Sequence, residues 1–219
     1  MHIVTIVVTK NVAISVKTLH TLLNVNKIER QLGFTNEIVF VNDDLHERQS
    51  ILLKKIKHCD RIVWIDYSIC IDSNSVQKLY DKFIQGYHCI VLPCVLPGIN
   101  WDLFKQKVLA DSKEPVSQMG LDFDTKVSKS IGENLHIVTE TDPKCWAIDC
   151  KHVLKCLKDK KGEGFSLPVK VSEMFKKFME RGVKMYAATD ANLTVTYPHE
   201  CLGNILQSAS ISVTPPEST

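Results

Sequence analysis

The sequence predicts an α/β fold in which a mostly parallel central sheet is flanked by helices. Between residues 3 and 92, short apolar runs rich in β-branched residues alternate with segments whose apolar residues recur at helical spacing. Runs that are apolar throughout are typical of strands covered on both faces, as they are in parallel sheets. Regular alternation of strands and helices over short intervals is typical of right-handed βαβ units.

The first half of the chain contains the most regular part of this pattern. Four strands are predicted, at residues 3–8, 37–41, 60–65 and 88–92. Three helices are predicted between them, over residues 16–32, over residues 46–56, and from a capping Ser73 or Ser75 to residue 83. Each helix has an apolar stripe that can cover one face of the sheet, which favours a layered α/β arrangement.

The second half of the chain is less regular. Helices are predicted over residues 102–110, in a segment that ends at residue 157, and over residues 169–181. Strands are predicted at residues 136–139, 145–148, 183–187 and 193–195. We interpret residues 1–207 as one domain and residues 208–219, which are rich in Ser, Thr and Pro, as a flexible C-terminal tail.

Composition and charge argue against several classes of protein. The 27 basic and 25 acidic residues give a net charge of +2, so no nucleic-acid partner is expected. No apolar run approaches the ~20 residues that a transmembrane helix needs, and the first residues lack the features of a signal peptide. The 8 cysteines form no C-x-x-C pair, which favours reduced thiols in a cytoplasmic protein.

Polar side chains follow three of the predicted strands. Thr9 follows the first strand, Asp43 and Asp44 follow the second, and Asp66 and Ser68 follow the third. Ligands of parallel α/β sheets bind beyond the carboxyl ends of the strands. Asp66 could bind a divalent metal that neutralises a diphosphate, or it could be a turn aspartate. Asp43 and Asp44 could accept hydrogen bonds from a nucleobase or ribose, or form an ordinary acidic turn.

Two further candidates lie in the second half of the chain. His199 is predicted on a turn after the last strand, where it could complete a metal site begun by Asp66 or serve a structural role. Glu173 lies on the amphipathic helix before Gly182, where a solvated surface position is the alternative to a functional one.

The order of these features resembles that of the nucleotide-diphospho-sugar glycosyltransferases of the GT-A fold. The resemblance is carried by the first strand, residues 42–44 with Arg48, residues 62–68, residues 145–149, residues 173–188 and His199. It covers roughly residues 3–205, and the small size is similar to that of compact glycosyltransferases of large DNA viruses. The resemblance implies a single-domain GT-A fold, located in the host cytoplasm if the protein is viral.

The resemblance also implies an activity and its partners. A sugar would move from a UDP or GDP sugar to an acceptor hydroxyl on a glycan or glycoprotein, in a metal-dependent, inverting hexosyl transfer that uses Mn²⁺ or Mg²⁺. The implied donor-binding residues are Thr9, Asp43, Asp44, Arg48 and Asp66. The implied metal positions are Asp66, Ser68 and His199.

The sequence departs from the family pattern in two places, and alternatives stay open. Ser68 stands where the family has the second acid of its D-x-D motif, and Lys170 and Val171 stand where inverting members carry an acidic pair. The catalytic base is therefore either Glu173 or Asp149, and a retaining mechanism is the other option. A degenerate GT-A fold that acts as a binding or structural module is the alternative function. A sugar-phosphate nucleotidyltransferase is disfavoured, because residues 9–15 contain no glycine.

Overall fold

The computed structural model describes residues 1–132, 134–158 and 166–195, which form two compact units. The first unit comprises residues 1–95 and 123–195, and the second comprises residues 96–122 within the described part of the chain. The predicted tail at residues 208–219 lies outside the described residues. Within those same ranges, no helix is both long and apolar enough to cross a membrane.

Strands and helices alternate over residues 2–91 much as the sequence predicts, with one additional short strand after the third. The described strands are β1 (His2–Thr9), β2 (Thr35–Asn42), β3 (Arg61–Ile65), β4 (Ile69–Ile71), β5 (Cys89–Val91), β6 (Thr125–Gly132), β7 (Leu135–Thr141), β8 (Cys145–Asp149), β9 (Tyr186–Ala188) and β10 (Leu193–Val195). The described helices are α1 (Val16–Gln31), α2 (Leu45–Lys55), α3 (Ser73–Ile84), α4 (Trp101–Leu109), α5 (Cys150–Leu157) and α6 (Val171–Glu180). Helix α4 belongs to the second unit.

Eight of these strands form one sheet, in the order β2-β1-β3-β8-β5-β9-β7-β6. Strand β1 is parallel to both β2 and β3, and β5 is parallel to β9. Strand β8 is antiparallel to both β3 and β5, and β7 is antiparallel to both β6 and β9. The reversed strands are thus β7 and β8, and the predicted mostly parallel sheet flanked by helices is confirmed. Strands β4 and β10 pair separately as an antiparallel ribbon.

The core lies on both faces of the sheet, because alternate residues of a strand point to opposite faces. In β1, Val4 and Ile6 join a cluster that includes residues of α2, α5 and α6. Ile3 and Val7, on the opposite face, join a cluster that includes residues of α1 and α3. The buried apolar runs that predicted the strands are therefore explained by helices on both sides of the sheet.

A stack of aromatic rings connects the centre of the sheet to α6. Trp64 of β3 and Trp146 of β8 lie opposite each other, with ring centroids 5.3 Å apart and planes inclined by 4°. Phe175 of α6 meets Trp146 edge to face at 5.3 Å. Aromatic pairs of this kind are worth about 0.5–1.5 kcal/mol beyond the area that they bury. The stack fixes α6 against β3 and β8, the two strands that border the candidate site.

Three details of the sequence prediction are corrected. Helix α3 is capped by Asp72, whose Oδ1 accepts a hydrogen bond from Ser75 N at 2.7 Å, and not by either serine. Strand β6 was not predicted because all its residues after Thr125 are exposed, which leaves no apolar pattern to detect. Strand β4, which follows β3 after a three-residue turn, was also not predicted.

Candidate functional site

The candidate site lies at the carboxyl edge of β1, β2 and β3. Thr9 ends β1, Asp43 follows β2 and Asp66 follows β3. The N–H of Asp66 donates to the carbonyl oxygen of Lys144 at 2.8 Å. Because β8 runs antiparallel to β3, the turn that precedes β8 reaches this same edge of the sheet. The site therefore combines residues from the ends of parallel strands with residues from the start of a reversed one.

Arg48 links the ends of β2 and β3. Its Nη2 lies 2.6 Å from Asp43 Oδ1 and 3.0 Å from Asp66 Oδ1. The Arg48 side chain is 12% exposed, and its Nε is buried without a hydrogen-bond partner among the described residues. An unsatisfied buried donor is costly, so a group that accepts this hydrogen bond would be favoured here.

The Asp66 carboxyl group is influenced by both burial and charge. Burial raises its pKa, and Arg48 partly offsets this effect. Asp66 Oδ1 also accepts a hydrogen bond from Tyr67 N at 2.8 Å. The oxygen that faces Arg48 is therefore already held by two donors from the protein.

A cavity of about 220 Å³ opens beside Asp66. Its lining residues include the basic Arg48, Lys144 and Lys170 and the acidic Asp66 and Asp142. Helix α6 begins at this cavity, and its N-cap residue Lys170 makes no side-chain capping hydrogen bond. The first N–H groups of a helix carry partial positive charge and bind anions. Taken together, the cations and the helix start suit an anionic group that contains several oxygens.

Asp124 holds the turn that carries Lys144. Its buried carboxylate accepts hydrogen bonds from Lys144 N at 3.3 Å, from Cys94 N at 3.0 Å and from the Thr125 hydroxyl at 2.8 Å. Burial raises the pKa of Asp124, and these hydrogen bonds counteract that effect. Asp124 thus acts on the cavity through Lys144 and is a positioning residue.

Two predicted donor-binding residues have local structural partners. The Thr9 hydroxyl is buried and donates to the carbonyl oxygen of Val41 at 3.1 Å, and Asn42 Oδ1 is 3.2 Å away. Asp44 caps α2, because its Oδ1 accepts from Glu47 N at 2.8 Å. Asp44 therefore has a local structural role, whereas Asp43 forms an ion pair with Arg48.

Of the three predicted metal positions, Asp66 and Ser68 lie within the described residues and His199 lies outside them. These residues contain no group of three or more His, Cys, Asp or Glu side chains that could hold a metal ion. Asp66 is paired with Arg48, Ser68 is buried in a left-handed backbone conformation (φ 63°), and His199 lies outside the described residues. One ion-paired carboxylate is not a metal centre, so the described residues do not fit the implied Mn²⁺ or Mg²⁺.

The two candidates for the catalytic base lie at different edges of the sheet. Glu173 is in the first turn of α6, with its side chain 59% exposed and its Oε1 3.7 Å from Lys170 Nζ. Asp149 is the register partner of Arg61, the first residue of β3, so it lies at the edge opposite Asp66. It accepts from His152 N at 2.9 Å and caps α5. The expectation that Asp149 belongs to the site is corrected, because the direction of β8 was not evident from its sequence.

The most important residues that the sequence analysis missed are Lys144 and Lys170. Lysines in loops are usually solvated, and these two form no sequence motif that indicates a binding site. Lys144 immediately precedes the buried run at residues 145–148, and it could have been placed at the site had that strand been recognised as antiparallel. Lys170 was considered only as a departure from an acidic motif.

Comparisons with known proteins reveal similarity of fold at low sequence identity. No protein-family model and no curated protein sequence matches the chain. Protein A197 from STIV is 13% identical, with a TM-score of 0.51, over 90% of this chain and 87% of that one. A Bacillus anthracis protein named as a glucose-1-phosphate thymidylyltransferase is 10% identical, with a TM-score of 0.47, over 97% of both chains.

A third solved structure is a mutant of the Drosophila β1,4-galactosyltransferase 7 in complex with manganese, UDP-Gal and xylobiose. It is 10% identical, with a TM-score of 0.47, over 91% of this chain and 73% of that one. Two of the three structures are named as transferases. At such identities the likeness concerns the fold, and the function has to be argued from the site.

Proposed function

We propose that this protein is a glycosyltransferase that binds a nucleotide-diphosphate sugar, UDP- or GDP-linked, and moves the sugar to an acceptor hydroxyl. The observation that carries the proposal is the cation-lined cavity beside Asp66, at the carboxyl edge of the parallel strands. Ligands of α/β sheets bind at this edge, and the sequence resemblance independently implies a diphosphate donor there. The implied acceptor is a glycan or glycoprotein.

Arg48, Lys144 and Lys170 would hold the diphosphate. These residues line the cavity, and the start of α6, which has no side-chain cap, would add N–H donors to it. When the bond to the sugar breaks, negative charge accumulates on the departing diphosphate. Fixed cations aimed at that charge stabilise the transition state without reorganisation of solvent. Asp43 would contribute by orienting Arg48, to which it is paired.

Glu173 is the proposed base for the acceptor hydroxyl. It lies in the first turn of α6, next to residues that line the cavity. A carboxylate there could take the proton as the hydroxyl attacks the anomeric carbon. Attack from the face opposite the diphosphate would invert the configuration of that carbon.

A divalent metal is implied by the resemblance, but the described residues contribute only Asp66 to such a site. In the proposed reaction, side chains of the protein therefore stabilise the charge on the diphosphate. The positive charge that the reaction needs is assigned to the three basic side chains.

The proposal is tested by measuring nucleotide release from a panel of UDP and GDP sugars, with and without candidate glycan acceptors. Each reaction is run with added Mn²⁺ and with a chelator. We expect acceptor-dependent release from one donor in wild type and in Lys126→Gln, a control at the exposed far edge of the sheet. Release should fall at least about 10-fold in Lys144→Gln. Tight donor binding with no release under any condition would instead identify a binding module.

A further inference from the structure

Cys59 and Cys150 are close together in space although 91 positions separate them in the sequence. Their sulfur atoms are 3.5 Å apart, and both residues are free thiols. Cys59 precedes β3, and Cys150 is the first residue of α5. The pair lies at the edge of the sheet opposite Asp66, so its chemistry is independent of the proposed donor site.

The backbone holds the two cysteines in place. Arg61 of β3 pairs in register with Asp149 of β8, and the N–H of Cys150 donates to the carbonyl oxygen of Asp60 at 2.9 Å. The two chain segments therefore continue an antiparallel ladder, in which neighbouring backbones are close. Bond formation requires the sulfur atoms to approach from 3.5 Å to about 2.05 Å, which is a small movement.

The surroundings of Cys59 favour reactivity at this sulfur. Its hydrogen bond with Cys150 lowers the pKa of Cys59 and raises that of Cys150. Cys59 also lines an open cavity of about 240 Å³, together with His58, Asp60 and Lys151. A small oxidant can therefore reach Cys59, although the residue is only 8% exposed. The thiolate is the reactive form of cysteine, so Cys59 is the better nucleophile of the pair.

We propose that Cys59 and Cys150 are a redox-active pair that closes to a disulfide in response to a peroxide. The Cys59 thiolate attacks one peroxide oxygen, the O–O bond breaks, and the released hydroxide takes up a proton to become water. Cys59 is then a sulfenic acid. The sulfur of Cys150 attacks the sulfenic sulfur, the S–S bond forms, and the hydroxyl group leaves as water with the proton of Cys150. Overall, two thiols are oxidised and one hydrogen peroxide is reduced to two waters.

The disulfide would bind the chain before β3 to the start of α5. Cross-linking residues this far apart in sequence restricts the unfolded chain more than the folded one, and so stabilises the fold. We expect the melting temperature of the oxidised protein to rise by roughly 5 °C. A dithiol reductant reverses the change by thiol–disulfide exchange.

The test begins with the full reduced chain, which is treated with a few equivalents of hydrogen peroxide, then denatured and alkylated with maleimide. Two fewer adducts than the 8 of the reduced chain are expected, with a linked pair of peptides that contain Cys59 and Cys150. A reductant should restore all adducts. Cys59→Ser and Cys150→Ser should each abolish the linked peptides, whereas the controls Cys70→Ser and Cys156→Ser, which change partly exposed cysteines, should retain them.

The peptide map of wild type decides the matter even if a serine variant does not fold. A cross-link that involves any other cysteine would overturn the proposal. So would oxidation of Cys59 to sulfinic acid with no cross-link, or a Cys59–Cys150 link that forms only in denaturant.

Discussion

Arg48 Nη2 lies 3.0 Å from Asp66 Oδ1, so a cation from α2 is paired with the carboxylate that ends β3. The same nitrogen contacts Asp43, which follows β2. This relationship gives Asp66 a partner other than a metal, and it places a guanidinium group at the wall of the cavity that Lys144 and Lys170 also line. The proposed donor site therefore combines three basic residues with the acidic Asp66 and Asp142.

Loss of Arg48 should destabilise the protein. In Arg48→Gln, Asp43 and Asp66 would face each other without their shared cation, and Asp66 is largely buried. We expect the free energy of unfolding to fall by about 1–3 kcal/mol, as measured by urea denaturation. Addition of Asp66→Asn to this variant should recover part of the loss, because it removes the unpaired charge. If Arg48→Gln alone is as stable as Lys126→Gln, the ion pairs of Arg48 contribute nothing to the free energy of unfolding.

The choice between the two bases can be made by kinetics. Glu173→Gln should lower kcat by about 100-fold or more and leave donor affinity nearly unchanged, because a general base acts mainly in the transition state. Asp149→Asn should leave kcat near that of wild type, since Asp149 lies at the opposite edge of the sheet and caps α5. The reverse pattern, with loss of turnover in Asp149→Asn alone, would be incompatible with this assignment.

Glu29 gives the fold a distinct dependence on pH. Its side chain is fully buried between α1 and α3, and Oε1 accepts a hydrogen bond from the Tyr80 hydroxyl at 2.5 Å. Burial raises the pKa of Glu29 from 4.5 to about 7. The folded protein therefore binds a proton that the unfolded chain releases, and stability declines as the pH rises from about 4.5 to about 7.

Glu29→Gln keeps an acceptor for Tyr80 but cannot ionise. Between these pH values, Glu29 should make the free energy of unfolding fall by up to about 1.4 kcal/mol for each pH unit. Glu29→Gln should remove this pH dependence. Urea denaturation at pH 5, 6, 7 and 8 measures the difference between wild type and variant. Glu140→Gln, which changes a glutamate with a 71% exposed side chain, serves as the control. If the free energy of unfolding depends on pH in the same way in wild type and in Glu29→Gln, Glu29 is not protonated in the folded protein.

Asp124 should influence donor binding without contacting the donor. Its carboxylate accepts from the backbone of both Lys144 and Cys94. Asp124→Asn replaces one acceptor oxygen by an NH₂ group that must face a backbone N–H, so the turn that carries Lys144 should shift. We expect donor affinity to fall about 3- to 10-fold, which corresponds to about 0.7–1.4 kcal/mol, with retained folding by circular dichroism. If Asp124→Asn binds the donor as tightly as wild type, Asp124 does not position Lys144 for donor binding.

The sequence predicted the parallel half of the sheet well, because β1, β2 and β3 each contain a run of mostly apolar residues with polar residues at or just after its carboxyl end. Asp43, Arg48 and Asp66 were all expected at one edge, and the structure brings them together. The direction of β8 was not predictable, since a buried strand has the same apolar pattern whether it is parallel or antiparallel. Because the direction of β8 was unknown, Asp149 was wrongly expected at the site and Lys144 was not expected there.

The central claim is that the cavity beside Asp66 binds a diphosphate through Arg48, Lys144 and Lys170. Its most direct test is calorimetric titration of UDP and GDP, with uridine and guanosine as controls, into wild type, Lys144→Gln/Lys170→Gln and Lys126→Gln in the presence of a chelator. The account predicts that one diphosphate binds wild type and Lys126→Gln equally, and that its Kd rises at least about 10-fold in the double variant. The claim would be contradicted by equal affinity in all three proteins or by the absence of binding of either diphosphate. It would also be contradicted by binding that requires added Mn²⁺ and is unchanged in the double variant.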